Sequence, residues 1–277
     1  MSAASAPPVG VSATRTVSVA GLVNGTKYTF TVTPYDANGI GTPSSKSPSV
    51  TPQKVAPFTT IDRFIEQQFQ DFYGRRPTSA ELADWRAKLN AVSTPGGMIN
   101  TLWGSSPHSS VMPPMTRLYS AFYVRIPDYN GLVYWAQQRR SGVSMASIAN
   151  TFARTPEFRD LYGTVTNAQF VDLVYENVLG RPPSASDRTY WTGELNAGRR
   201  TRGTLMIGFS ESAEYKNKTA AEINASLIII EMLRRTPNSA GHAGEHALLV
   251  ASLKGGTSLT TLFTQVLNSA EYATRAT

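Results

Sequence analysis

The sequence predicts a mainly α protein built as tandem helical-bundle repeats, preceded by a partial β-sandwich segment. Three observations carry this. The apolar pattern changes from a period of two to about 3.6 close to residue 60. Helices stopped by proline recur down the chain, and the motifs Thr155-Pro156-Glu157-Phe158, Ser212-Ala213-Glu214-Tyr215 and Ser269-Ala270-Glu271-Tyr272 return every 57 residues. A fixed period of that size marks a repeat architecture. The expected divisions are a β segment over 1–53, a linker over 54–60, helical repeats over 61–110, 111–165 and 166–220, and a degenerate capping repeat over 221–277.

Composition removes several classes of function. The chain has 277 residues, 41% hydrophobic and 10% aromatic, which suits a globular protein. Its longest strongly apolar cluster, Leu227-Ile228-Ile229-Ile230, falls far short of the ~18 residues a membrane span needs, so no membrane span is expected. Met1-Ser2-Ala3-Ala4 carries neither a basic start nor an apolar signal core. With no cysteine, disulfides and thiolate chemistry are excluded. The net charge of +7 is spread thinly, +3 before residue 58 and +4 after it. Its densest basic cluster is Arg199, Arg200 and Arg202, which supports weak attraction to anionic surfaces rather than a nucleic-acid groove.

Within 1–53, Val17 and Val19, then Tyr28, Phe30 and Val32, alternate as strands do. Asn24-Gly25 and Asn38-Gly39 are hairpin turns, because both residue types tolerate positive φ. The run Val19-Ala20-Gly21-Leu22-Val23-Asn24-Gly25-Thr26-Lys27-Tyr28-Thr29-Phe30 and its continuation to Ser44 resemble the last three strands of a fibronectin type III domain. Such a sandwich needs about seven strands. The resemblance therefore implies that earlier strands come from preceding chain or from a partner strand added to an open edge.

In the helical part, Ile61, Phe64, Ile65, Phe69, Phe72 and Tyr73 form one apolar stripe, ended by Gly74-Arg75-Arg76-Pro77. Thr78-Ser79-Ala80-Glu81 is a capping box opening a second helix with Leu82, Trp85 and Leu89. The second copy runs through Leu118, Tyr119, Phe122 and Tyr123 to Arg125-Ile126-Pro127-Asp128, then Tyr134-Trp135. The third has Val174, Val178 and Leu179, then Gly180-Arg181-Pro182-Pro183 and Tyr190-Trp191. The fourth keeps Arg234-Arg235-Thr236-Pro237 but lacks the tryptophan, as terminal repeats often do.

Leu179-Gly180-Arg181-Pro182, Tyr190-Trp191, Leu195-Asn196-Ala197-Gly198 and Gly208-Phe209-Ser210-Glu211-Ser212-Ala213-Glu214-Tyr215 together resemble the bacterial domain of unknown function 4214. The resemblance extends over 61–277, close in the third copy and degraded in the first and fourth. It implies a helical unit similar to phycobilisome linker domains, found in secreted and surface-attached bacterial proteins beside adhesive or carbohydrate-related modules. It brings no catalytic residues. The family's aspartate after proline is met by Asp128 alone, with Thr78, Ser184 and Asn238 elsewhere; all are good helix caps.

The candidate chemistry is sparse. His242-Ala243-Gly244-Glu245-His246 fits H-x-x-E-H, in which two histidines one turn apart hold zinc and the glutamate activates water. It is a weak metal candidate: Gly241 and Gly244 weaken the helix it needs, and only Glu271 lies downstream as a third ligand. His108 sits in a Ser/Pro loop and reads as a solvated side chain. Glu157, Glu214 and Glu271 read as helix-end caps or inter-repeat contacts rather than catalytic acids. Tyr134, Trp135, Tyr190 and Trp191 suit sugar stacking as well as core packing, with packing favoured by their helical register. Arg199, Arg200 and Arg202 form a basic cluster at the opening of the next helix that reads as solvated, with an anion site for cell-wall phosphates as the lesser reading.

The function expected is therefore non-catalytic: an extracellular or cell-surface bacterial scaffold, adhesion or assembly module without cofactor. Its partners would be other proteins, further copies of itself, or cell-envelope glycans. Candidate binding residues are Arg199, Arg200, Arg202, Tyr190 and Trp191. The alternative is the accessory, glycan- or cell-wall-binding region of a larger carbohydrate-active or peptidoglycan-active enzyme.

Overall fold

In a computed structural model the described residues are 19, 22, 26–36, 39–50, 55–91 and 93–276. The architecture is mainly helical. Ahead of the helices runs a narrow antiparallel ribbon. Tyr28 and Val50 exchange both backbone hydrogen bonds, at 2.8 and 2.9 Å, and Ser47 and Ser44 donate from their amides to Phe30 and Val32. The ribbon ends in the strands β1 (Tyr35–Asp36) and β2 (Gly39–Ile40), paired Tyr35 with Ile40 and Asp36 with Gly39. A second packed sheet, which a sandwich requires, is not found among the described residues. The predicted strand at Val17 and the turn at Asn24-Gly25 lie outside those residues, as does Asn38. The expected linker 54–60 is not a free joint either: Val55 and Phe58 are buried, and the Phe58 ring meets Phe64 and Tyr272 edge-on.

Each helical unit then follows one plan. Unit one comprises α1 (Ile61–Tyr73), α2 (Ser79–Ala91), α3 (Pro95–Gly104) and the single turn α4 (Ser106–Ser109). Unit two comprises α5 (Met112–Tyr123), α6 (Tyr129–Arg140), α7 (Met145–Phe152) and α8 (Pro156–Tyr162). Unit three comprises α9 (Asn167–Val174), α10 (Ala185–Asn196), α11 (Arg202–Ser210) and the start of α12 (Ala213–Leu227). Unit four takes the rest of α12, then α13 (Glu245–Lys254), α14 (Leu259–Leu267) and α15 (Ala270–Ala276). Both α9 and α12 end in a π-helical turn, Tyr175–Leu179 and Ile228–Met232. The expected boundary at 220/221 falls inside α12, so units three and four share one unbroken helix.

The first helix of every unit stops in the same way. Gly74, Val124, Gly180 and Arg234 all have left-handed backbone, with φ of 66, 52, 71 and 52°. The next residue is always arginine and the one two further on always proline, which cannot continue a helix. Thr60, Asp128, Ser144, Thr155, Ser184, Thr201, Ser212 and Ser258 cap following helices by accepting a backbone N–H with their side chains. Such a cap is worth about 1 kcal/mol. Polar residues at these positions thus set where each helix begins.

The units do not stack in a row with free ends. Helix α3 of unit one packs on α14 of unit four, and α7 of unit two packs on α11 of unit three. The pairing is nested: outer units together, inner units together. Glycine permits the close crossings. A Cβ on Gly203 would lie 2.6 Å from Asn150 Oδ1 and 2.7 Å from the Ala149 carbonyl oxygen, and one on Gly96 would collide with Thr264. One continuous apolar core results, from Val55 to Tyr272. Each buried Phe, Leu or Ile in it contributes roughly 1.5–3 kcal/mol.

The outer pair is closed by charge as well. Asp71 of α1, its side chain wholly shielded, accepts from Arg275 at 2.6 and 3.0 Å, from Arg234 at 2.7 Å and from Gln67 at 2.9 Å. Beside it Gln68 donates to the Tyr272 hydroxyl at 2.8 Å. His108 is not a solvated loop residue. It is fully buried, with Nδ1 2.8 Å from the Trp103 carbonyl and Nε2 2.9 Å from Glu231 Oε2 across the unit one/unit four junction. It occupies the place that Phe158, Tyr215 and Tyr272 hold in the other units, which explains why it lies inside.

Candidate functional site

The repeated glutamates have a structural partner in their own unit. Arg181 donates to both oxygens of Glu214 at 2.7 Å. Arg125 holds Glu157 at 2.6 and 3.2 Å, and Arg235 holds Glu271 at 2.5 and 3.2 Å. Each clasp ties the end of the unit's first helix to the start of its last, so these contacts are internal to a repeat, not between repeats. The guanidinium also lies over aromatic rings of the first helix: Arg125 over Tyr119 at 5.0 Å, Arg181 over Tyr175 at 5.2 Å. Bidentate pairing is what the arginine fork does best. Hydrogen bonding to Arg181 lowers the Glu214 pKa, and bonding to Arg235 lowers that of Glu271. In unit one Pro107 replaces the glutamate, and Arg75 turns to Glu81 instead, at 2.7 and 2.8 Å.

The H-x-x-E-H motif is not a zinc site of the expected kind. Helix α13 begins only at Glu245, after Gly244 at φ 81°, so His242 lies outside the helix and cannot sit one turn from His246. His246 is buried, its Nε2 2.9 Å from Ser226 Oγ and 3.0 Å from the Glu222 carbonyl. His242 does approach Glu245 and Glu271, at 3.8 and 3.9 Å, a set close enough to share an ion. Arg235 already bonds both of those carboxylates. A fixed guanidinium stands where the metal's charge would be needed.

The aromatic pairs divide between core and surface. In unit two the Trp135 ring meets Phe152 at 5.1 Å, and in unit three Trp191 meets Phe209 at 5.4 Å. Both tryptophans are half-buried and join the second helix of a unit to its third. Among the described residues, the aromatic partners of both lie within their own unit. The tyrosines before them face outward: Tyr134 is 53% exposed and Tyr190 55%. Each stands edge-on to its tryptophan, at 4.9 Å and 80° for Tyr134, 5.0 Å and 72° for Tyr190. Leu248 of α13, the residue at the same place in unit four, is 71% exposed.

The basic cluster also comes apart. Arg202 turns inward, over the Phe170 ring at 4.6 Å, and donates to the Val165 carbonyl at 2.5 Å; burial lowers its pKa. Arg199 is neutralised by Glu194 at 2.6 Å. Arg200 alone remains available. Its guanidinium lies over the Trp191 ring at 5.7 Å, and its amide bonds the Glu194 carbonyl at the end of α10. The turn that aims it is made by Gly198 at φ 67°. Tyr190, Trp191 and Arg200 therefore form one contiguous surface group. Next to α10, an open groove of about 440 Å³ runs between Asp172, Leu173, Pro182, Pro183 and Arg188.

Comparison with known families adds one match: the Domain of unknown function (DUF4214) matches residues 149–219. This stretch holds α9 to α11, the Arg181–Glu214 clasp and the Tyr190, Trp191 and Arg200 group. It supports the resemblance for unit three. Nothing in the comparisons supports the fibronectin type III resemblance. No curated protein and no solved structure matches the chain.

Proposed function

We propose that the protein is a non-catalytic interaction module of the bacterial cell surface, whose helical units form a rigid frame for contacts with envelope glycans or other proteins. The observation behind this is the repeated placement of Tyr134 and Tyr190. Both project from the second helix of their unit, at one register, beside a tryptophan anchored in the core. The Asp128 and Ser184 caps and the packed tryptophans hold the helix in place, so contact by these rings costs little ordering entropy. His108, His246 and the repeated glutamates are meanwhile engaged in internal bonds.

Retention on purified cell walls tests the proposal. Wild-type protein is expected to be retained, and the double variant Tyr134→Ala, Tyr190→Ala to be lost from the pellet with its melting temperature unchanged. Retention of the double variant at the wild-type level would sink the assignment. Turnover of any peptide or glycan would do the same.

A further inference from the structure

We infer that the Tyr190, Trp191 and Arg200 group of unit three binds a carboxylate-bearing polysaccharide. This rests on the interaction-module reading above and names the ligand class for one of its faces. Two features make the group unlike its counterpart in unit two. First, Arg200 lies over the Trp191 ring at 5.7 Å with, among the described residues, no carboxylate in ion-pair range, whereas Arg75, Arg125 and Arg181, which also lie over rings, are each paired with a glutamate. Second, the place corresponding to Arg200 in unit two is Val143, one residue before the helix cap Ser144. Units two and three thus share the ring pair and differ in the cation.

The chemistry that matches is a sugar ring with an acid on it. The apolar C–H face of a pyranose packs on an exposed aromatic such as Tyr190, and aromatic side chains offer large contact area at low entropic cost. An acid on the same residue reaches the guanidinium beside Trp191, where a bidentate, charge-assisted pair forms. The net charge of +7 favours an anionic polymer over a neutral one. An acidic peptide supplies the charge but not the flat C–H face, so the exposed tyrosine ring points to sugar.

Affinity electrophoresis or calorimetry with polygalacturonate, its fully methyl-esterified form and poly-L-glutamate tests this. Polygalacturonate is expected to bind, the esterified polymer at least ~10-fold more weakly, as loss of one charge-assisted hydrogen bond implies. Arg200→Gln should weaken polygalacturonate binding by ~10-fold or more, and Tyr190→Ala likewise. Binding should weaken as salt rises. Melting temperatures of both variants should equal that of the wild type, since the side chains are outside the core. The inference is overturned if Arg200→Gln binds polygalacturonate like the wild type, if the esterified polymer binds equally, or if poly-L-glutamate competes as well as the polysaccharide. Cell-wall retention that survives those outcomes would leave the broader module reading intact; loss of both would remove it.

Discussion

Val124 and Glu231 show how single residues carry strain in this fold. Val124 has φ 52° at the end of α5, where Gly74 and Gly180 end the equivalent helices. A β-branched residue there costs about 1 kcal/mol or more, and the side chain is largely exposed. Val124→Gly should therefore raise stability by about 0.5–1 kcal/mol in urea unfolding. Glu231 carries the opposite kind of burden, a carboxyl buried beside His108. Burial raises its pKa above the ordinary 4.5, with His108 acting against the rise. The folded state thus binds this proton more tightly than the unfolded chain. Its contribution to stability is fully present below 4.5 and is lost as pH rises through the folded value. Glu231→Gln, which keeps a bond to His108 without the charge, should gain stability relative to wild type as pH is raised from 4 to 8. A difference independent of pH would show that the group is ionised or neutral throughout.

Among the helices, the recurring device is the clasp between an arginine after the left-handed stop and the glutamate opening a later helix. Glu214 and Glu271 have lowered pKa through their arginine partners, and in unit one Glu81 falls to about 2 through its bonds with Arg75. Here the linkage sign reverses. The clasp contribution is present above 4.5 and is lost as pH falls through the folded value. Because these pairs are exposed or partly exposed, solvent screens them and each contributes little. Glu214→Gln should lower stability at pH 7, and the deficit should shrink as pH falls below 4.5 through the lowered folded value of Glu214. A double-mutant cycle with Arg181→Gln measures the coupling directly. The sequence shows the clasp only as a recurring Arg and a recurring Glu some 32 to 36 residues apart; their pairing requires the turn between them.

Closure of the whole molecule depends on contacts between residues some 200 positions apart. Asp71 draws Arg275 and Arg234 onto α1, and Gln68 meets Tyr272. Replacing Asp71 by Asn leaves Arg275 largely buried without its carboxylate, which costs about 3 kcal/mol. Limited proteolysis should then release the C-terminal turns first, and thermal unfolding should lose cooperativity between unit one and the remainder. A drop under 1 kcal/mol would mean that the apolar packing of α3 on α14 is sufficient by itself. Nested pairing also changes what the protein presents outward. A row of repeats exposes an end to add to, whereas here the first unit is covered by the last.

Much of the local structure was readable from residue order. Helix stops at Gly74, Gly180 and the X-Arg-x-Pro positions, caps at Asp128 and Ser184, and the period of 57 all follow from dihedral limits and backbone hydrogen bonding, which act within a few residues. Burial was not readable. His108, surrounded by Ser and Pro in sequence, is inside because unit four covers it. His246 bonds Ser226 because α13 lies on α12, and Arg202 points in while Arg200 points out because Phe170 of α9 and Val165 just ahead of that helix approach it. Residue order by itself determined where helices start, stop and repeat, since those choices are made by neighbouring atoms. Only the tertiary structure decided which units meet and which side chains remain free to bind, because packing and charge pairing join residues that the chain keeps far apart.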